Sequence, residues 1–299
     1  MDAACYLHMN AAALSLIYGC LQDVEQSETF REIAGRIHSA VLTRMWDQDL
    51  RFFRDLTPDH TRVPVMSVVG FDPFMAGIAG EEHLGIFEHL SNPREFASAY
   101  PLPSVSMDCP LFAADARFAG EHIKGEHGCV WNGPTWPFTN STVLMSLAEV
   151  SRRFGHRHDH LFADLFGRYT RLMYRDGDIA LPDVVEHYNS LTGAPISQEE
   201  DYFHSSWIDL VVTGLAGLQV GEGTAAVDPI PCGLDYFDLD GVVVRGRRIR
   251  IAWRDLSAGP DELEPGLSVW VDGQLAARSE SPARIEMLLP MDHDNGGMK

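Results

Sequence analysis

The sequence predicts a mainly α-helical chain ending in a small β-rich module. Three observations carry this reading. Apolar residues recur at spacings of three and four over most of the chain, as helices with one buried face require. After Gly221-Glu222-Gly223-Thr224 that spacing gives way to short β-branched runs. The connections between helical stretches are long and carry proline and glycine, and loops of that kind usually hold function.

Tyr6, Leu7, Asn10, Leu14, Ile17, Tyr18 and Leu21 would share one face of a first, packed helix. Polar interruptions exclude a transmembrane span, and no basic residue precedes the apolar run 11–21 as a signal peptide would require. Phe30, Ile33, Ile37, Val41 and Met45 form the stripe of a second helix, over 30–45, which Trp46-Asp47 ends. Shorter helical patterns follow at 70–79 and 81–90. Stronger helices cover 141–153 and 159–174, the latter with Leu161, Leu165, Tyr169 and Leu172 on one side and Asp159 near its start. Another runs over 204–218. Pro229 and Pro231 then bracket a linker, and 241–244, 248–253, 267–271 and 285–289 read as strands, with Asp240-Gly241 and Asp272-Gly273 as hairpin turns. The organisation expected is a helical domain over 1–222, a small β-sandwich-like module over 223–290, and a disordered polar tail at 291–299.

Composition narrows the partners. With 299 residues and 45% hydrophobic content, the chain can bury a substantial core. A formal charge of −20, with basic residues clustered only around 245–250, disfavours nucleic acid and anionic membranes. Five cysteines without a C-x-x-C pair suggest neither a disulfide framework nor a zinc ribbon, so a reducing cytoplasm is the expected location. His156-Arg157-His158-Asp159-His160 has ligand-type side chains, but a solvated loop with Asp159 as a helix cap explains it better than a metal does. No phosphate loop or G-x-S-x-G elbow occurs, and no cofactor is expected.

Two segments carry the chemistry. In 183–193, Asp-Val-Val-Glu-His-Tyr-Asn-Ser-Leu-Thr-Gly, Glu186 sits among hydrogen-bonding and aromatic neighbours in a stretch too irregular for plain core. Cys129-Val130-Trp131-Asn132-Gly133-Pro134-Thr135-Trp136-Pro137-Phe138-Thr139-Asn140 cannot be continuous helix, because Pro134 and Pro137 interrupt it. Trp131 and Trp136 can stack on the apolar face of a sugar ring, and Asn132 or Asn140 can reach its hydroxyls. The competing readings are core packing for the tryptophans and a loop ion pair, with Arg175 for example, for Glu186.

These segments resemble two motifs of the glycoside hydrolase family 63 relatives, the mannosylglycerate and glucosylglycerate hydrolases and, more distantly, the trehalases. Met45-Trp46-Asp47, Phe52-Phe53-Arg54-Asp55, Asn92-Pro93-Arg94-Glu95-Phe96, 100–105 and His204-Ser205-Ser206-Trp207-Ile208-Asp209 look like further family segments in order. The resemblance covers most of 1 to about 250 and implies part of an (α/α)6 toroid, a six-hairpin glycosidase fold. It also implies hydrolysis, with inversion, of a small α-glucoside or α-mannoside. Glu186 would be the general base, and Trp131, Asn132, Gly133, Trp136, Asn140, His187, Tyr188, Asn189 and His204 would line the substrate site, with Tyr188 equally readable as core.

The family's general acid, an aspartate in a segment resembling Glu-Ser-Gly-x-Asp-Asn-Ser-Pro, has no counterpart here. The opening Met1-Asp2-Ala3-Ala4-Cys5-Tyr6-Leu7 resembles a helix from the middle of such a toroid, so a truncated product is expected, with self-association through an incomplete edge. Asp108 is the best internal substitute for the acid and Asp72 a weaker one. Two other functions stay open: a silent carbohydrate-binding or structural remnant, and a sugar epimerase or isomerase relying on histidine bases such as His204.

Overall fold

The computed structural model describes residues 1–116, 131–197, 206–260 and 262–289. They form two compact units, one of residues 1–146 with 168–205 and one of 147–167 with 206–299. The expected tail at 291–299 lies outside the described residues.

The first unit opens with a helical hairpin, α1 (Asp2–Cys20) and α2 (Val24–Ala40). Asp23 caps α2 by accepting from the Gln26 amide at 3.1 Å, which starts the helix well before residue 30. Ser15 and Ser27 exchange hydroxyl-to-carbonyl bonds of 2.8 and 2.9 Å across the pair, and Tyr18 stacks on Phe30 with ring centroids 5.6 Å apart. The packed face expected of α1 is not found: Cys5 and Ala11 are its buried residues, while Leu7, Ile17 and Leu21 are exposed. Its apolar residues are spread around the helix, so no single stripe could bury them together.

Past a π turn at Val41–Met45, the short strands β1 (Trp46–Asp47) and β2 (Phe52–Phe53) pair antiparallel. Asp47 Oδ1 accepts from the amides of Asp49 and Leu50, both at 3.1 Å, closing the turn between them. Phe52 and Phe53 are buried, and Phe52 packs against Phe71 and Phe96. Pro73, Gly77 and Gly80 keep the next helical patterns short: a 3₁₀ turn at Val68–Phe71, α3 (Asp72–Met75) and a 3₁₀ helix at Glu81–Ser91. Helix α4 (Pro137–Arg153) starts earlier than expected because Pro137 takes the first helical position, where its missing N–H costs nothing. Helix α5 (Asp159–Leu172) follows, and residues 147–167, which take in the end of α4 and most of α5, belong to the second unit.

The second unit holds α6 (Trp207–Asp209), a π turn at Leu210–Leu215, and two antiparallel sheets. Strands β3 (Leu218–Val220), β4 (Thr224–Val227) and β9 (Ile285–Leu288) make one, in the order β3-β4-β9. The other is a meander of β5 (Tyr236–Val244), β6 (Arg247–Arg254), β7 (Gly266–Val271) and β8 (Gln274–Ser279). Asp272-Gly273 is a hairpin turn as expected, since Val271 pairs with Gln274. Asp240-Gly241 is not: it lies inside β5, where the register shifts between Leu239 and Val242, and the chain reverses instead at Arg245-Gly246. Glycine suits a bulge as well as a turn, so the dipeptide alone misplaces the hairpin. Arg152 on α4 donates to the Asp228 carbonyl at 2.6 Å and to that of Gly214, binding helix to sheet within this unit.

Candidate active site

Both motif segments lie in the first unit, side by side. Thr135 and Tyr188 exchange backbone hydrogen bonds of 2.8 and 2.9 Å, the centre of a row of bridges running from Pro103 through Thr135 and Tyr188 to Pro195. Ser67 and Val105 extend the pairing on the Pro103 side. Irregular segments distant in sequence thereby satisfy each other's backbone groups, as buried main chain must.

On this frame three rings stack. Trp131 lies on Trp136 with centroids 4.2 Å apart and planes 10° apart, and Trp136 lies on His187 at 4.5 Å and 17°. Trp136 and His187 are buried, whereas Trp131 is 39% exposed and offers its outer side. Glu186 Oε2 stands 3.7 Å from His187 Nδ1, and the Glu186 side chain is 14% exposed. No hydrogen bond among the described residues reaches the Glu186 carboxylate. The pairing with Arg175 that would make Glu186 ordinary does not occur, because Arg175 pairs with Asp183 at 3.2 Å.

Several candidates brace the site instead. Asn140 is fully buried; its Oδ1 accepts from the Leu102 amide at 2.6 Å and its Nδ2 donates to the Trp136 carbonyl at 2.9 Å. Asn132 donates to the Leu111 carbonyl at 3.2 Å. A Cβ on Gly133 would stand 2.6 Å from the Ala113 carbonyl oxygen, so this close crossing needs glycine. Asn189 Oδ1 accepts from the amides of Leu191 and Thr192, shaping a turn that ends at Gly193, whose φ of +74° and contact with the Tyr100 ring also require glycine. Tyr188 is core: it packs with Leu172 and Val185, its hydroxyl donates to the Asp183 carbonyl at 2.6 Å, and burial pushes that phenol upward. His204 lies outside the described residues.

The two substitute acids differ sharply. Asp108 accepts from the Ser106 hydroxyl at 2.6 Å and borders a cavity of about 200 Å³ with Arg54, Met66 and Pro110. Asp72 is 5% exposed and lines a cavity of about 280 Å³ that it shares with Trp131, Tyr6, Thr139 and Thr142. Burial, then the neighbouring Asp2, pushes the Asp72 carboxyl up to about 7. Nothing in the sequence distinguished Thr139, Thr142 and Tyr6 as site residues, since each fits a helix face equally well. In the second unit, His156 Nδ1 meets Asp159 Oδ2 at 2.9 Å, and among the described residues no cluster could hold a metal ion.

A family model, the mannosylglycerate hydrolase MGH1-like glycoside hydrolase domain, matches residues 1–205. The chain belongs to this family. The MGH1-like match takes in both the tryptophan and the Glu186 segments. A solved structure of a sialidase aligns with 95% of this chain and 26% of its own, at 22% identity and a TM-score of 0.83. The family 63 mannosylglycerate hydrolase of Thermus thermophilus, in complex with glucose, covers 70% of this MGH1-like chain and 46% of its own, at 23% identity and 0.53. Neutral trehalase of Saccharomyces cerevisiae covers 71% and 37%, at 16% identity and 0.52. These are likenesses of fold. An uncharacterized protein of Borreliella burgdorferi is 21% identical over 164 residues, 54% of this chain. The chain spans about a third of that relative and about a quarter of the sialidase. No helix among the described residues is long and apolar enough to cross a membrane.

Proposed function

We propose that the chain carries an α-glycosidase site in which Glu186 activates water and Trp131 is the platform for a small α-glucoside or α-mannoside, cleaved with inversion. The observation that carries this is the stack from exposed Trp131 through Trp136 to His187, ending beside a carboxylate that no described group hydrogen-bonds. The half-exposed Trp131 offers apolar surface to a sugar, and Glu186 keeps its lone pairs for the attacking water. His187 lies flat on Trp136 with its Nδ1 3.7 Å from that carboxylate. Membership of a hydrolase family supports the reaction class, and the fold shared with a mannosylglycerate hydrolase and a trehalase supports reading the helical part as part of an (α/α)6 toroid. The described cysteines Cys5, Cys20, Cys109 and Cys232 are free thiols, which supports a cytoplasmic location.

The test pairs two readouts on Glu186→Gln. Calorimetric binding of glucose, mannose and their α-glycosides should change little, while hydrolysis falls by on the order of 10²–10⁴-fold, the usual worth of a positioned base. Binding without hydrolysis in the unaltered protein would favour a silent sugar-binding protein. Hydrolysis unaffected by the substitution would remove Glu186 from the reaction.

A further inference from the structure

We propose that the four-stranded sheet of the second unit carries a saccharide site of its own, centred on Trp270, which holds a neutral sugar and cleaves nothing. It does not depend on Glu186 being a base. Asp240, Arg248, Arg250, Trp270, Asp272 and Gly273 line a cavity of about 580 Å³, well inside the size range of small-molecule sites.

Strand register brings these side chains together. Arg250 and Trp270 are direct partners across β6 and β7, and Arg248, two residues before Arg250, shares its face of β6. The register shift between Leu239 and Val242 falls at Asp240, and bulges of this kind re-aim a side chain. Asp240 accepts from both Nε and Nη2 of Arg248, at 3.2 and 2.8 Å. Asp238 accepts from the same two nitrogens of Arg250, at 2.8 and 2.6 Å, and the Arg250 guanidinium carbon lies 4.7 Å from the centroid of the Trp270 ring. Asp272, in the turn after β7, accepts from the Arg248 amide at 2.8 Å and from Arg247 Nε. The Asp240-Gly241 pair and the basic run around 245–250, neither of which has a part in the first-unit site, thus meet at one cavity.

The chemistry suits hydroxyl groups. Arginine has five N–H donors, and Arg248 and Arg250 each spend Nε and Nη2 on one aspartate, which leaves Nη1 without an acceptor among the described residues. A carboxylate offers about four lone-pair sites, so Asp240 and Asp272 can accept further hydrogen bonds. A sugar hydroxyl both donates and accepts, and Trp270 adds aromatic surface for the apolar part of the ring. Both guanidiniums are held before a ligand arrives, which reduces the side-chain freedom that binding must freeze. Charge selects a neutral ligand. Arg247 with Asp272, Arg248 with Asp240 and Arg250 with Asp238 balance one another, so an anion would gain a guanidinium only by displacing its carboxylate. The formal charge of −20 on the whole chain also repels anions.

The test follows the indole N–H signals of the full chain by two-dimensional NMR during titration with maltotriose and with an α-linked mannotriose. The Trp270 signal is the one missing from Trp270→Phe. A saturable shift of that signal is expected with at least one of the two sugars. Asp240→Ala and Arg248→Ala alter exposed side chains, so the fold and the Trp270 reporter should survive. Each should raise the sugar concentration needed for half-saturation by on the order of tenfold, as the loss of a binding contact does, and leave hydrolysis by the first unit unchanged. Glu186→Gln should leave the shift in place, so failure of the base and failure of this site are read separately. No saturable shift with either sugar, a shift equally strong in both variants, or half-saturation by inorganic phosphate at a lower concentration than by either sugar overturns the assignment.

Discussion

At the residue scale, a single buried carboxyl makes stability depend on pH. Asp72 sits in an apolar turn with no described partner, so its charged form is disfavoured and its titration rises from 3.8 to about 7. Folding therefore binds a proton more tightly than the open chain does. Stability from this group is complete below the unfolded value and is lost as pH climbs from about 4 to about 7. Asp72→Asn removes the charge while keeping the shape. Denaturant titrations of both proteins should show the variant gaining between pH 5 and pH 8, by on the order of 3 kcal/mol at most. An unchanged gap across that range would mean the carboxyl is solvated, and the account of its burial would fail. Asp47 shows the opposite balance: burial would raise it, but the Leu50 amide, Arg54 and the Asp49 amide outweigh that and hold it below the usual carboxylate range.

Among the elements, the site is a set of loops made rigid by each other. The bridges from Pro103 to Thr135, Tyr188 and Pro195 do for these segments what a sheet does for strands, and Asn140 anchors them to the first turn of α4. Asn140→Ala would leave the Leu102 amide buried without its acceptor, costing about 1–3 kcal/mol. A fall in Tm together with a loss of hydrolysis larger than the loss of sugar affinity is expected, because loosening the frame misplaces Glu186 relative to Trp131. A variant of normal Tm and normal rate would show that the frame holds without Asn140. Sequence types alone could not tell this anchor from a ligand. Asn140, Asn189 and Tyr188 have the donors and rings of a sugar site, and the structure turns each toward its own backbone. The loop character of the segments around Trp131 and Glu186 was legible, because proline and glycine around them ruled out regular elements. Conversely, the Asp240-Gly241 pair misled, because a bulge and a turn ask for the same residues.

For the whole molecule, the change from helical to strand spacing near residue 221 was visible in the sequence, and the sheets begin just before it, at Leu218. What the pattern could not show is which buried acid faces which cavity. Asp108 takes a hydroxyl from Ser106, two residues before it, whereas tertiary packing sets Asp72 in a cavity with Trp131. The packing of α1 was misjudged because apolar residues also line its other sides, and Leu7 and Ile17 stay exposed. The central claim is that Glu186 directs water to the face of the sugar opposite the leaving group. The most direct check follows the anomeric protons by NMR during hydrolysis of an α-mannoside or α-glucoside. The β-anomer should appear first, before mutarotation, and should vanish in Glu186→Gln; an α-anomer appearing first would contradict the account.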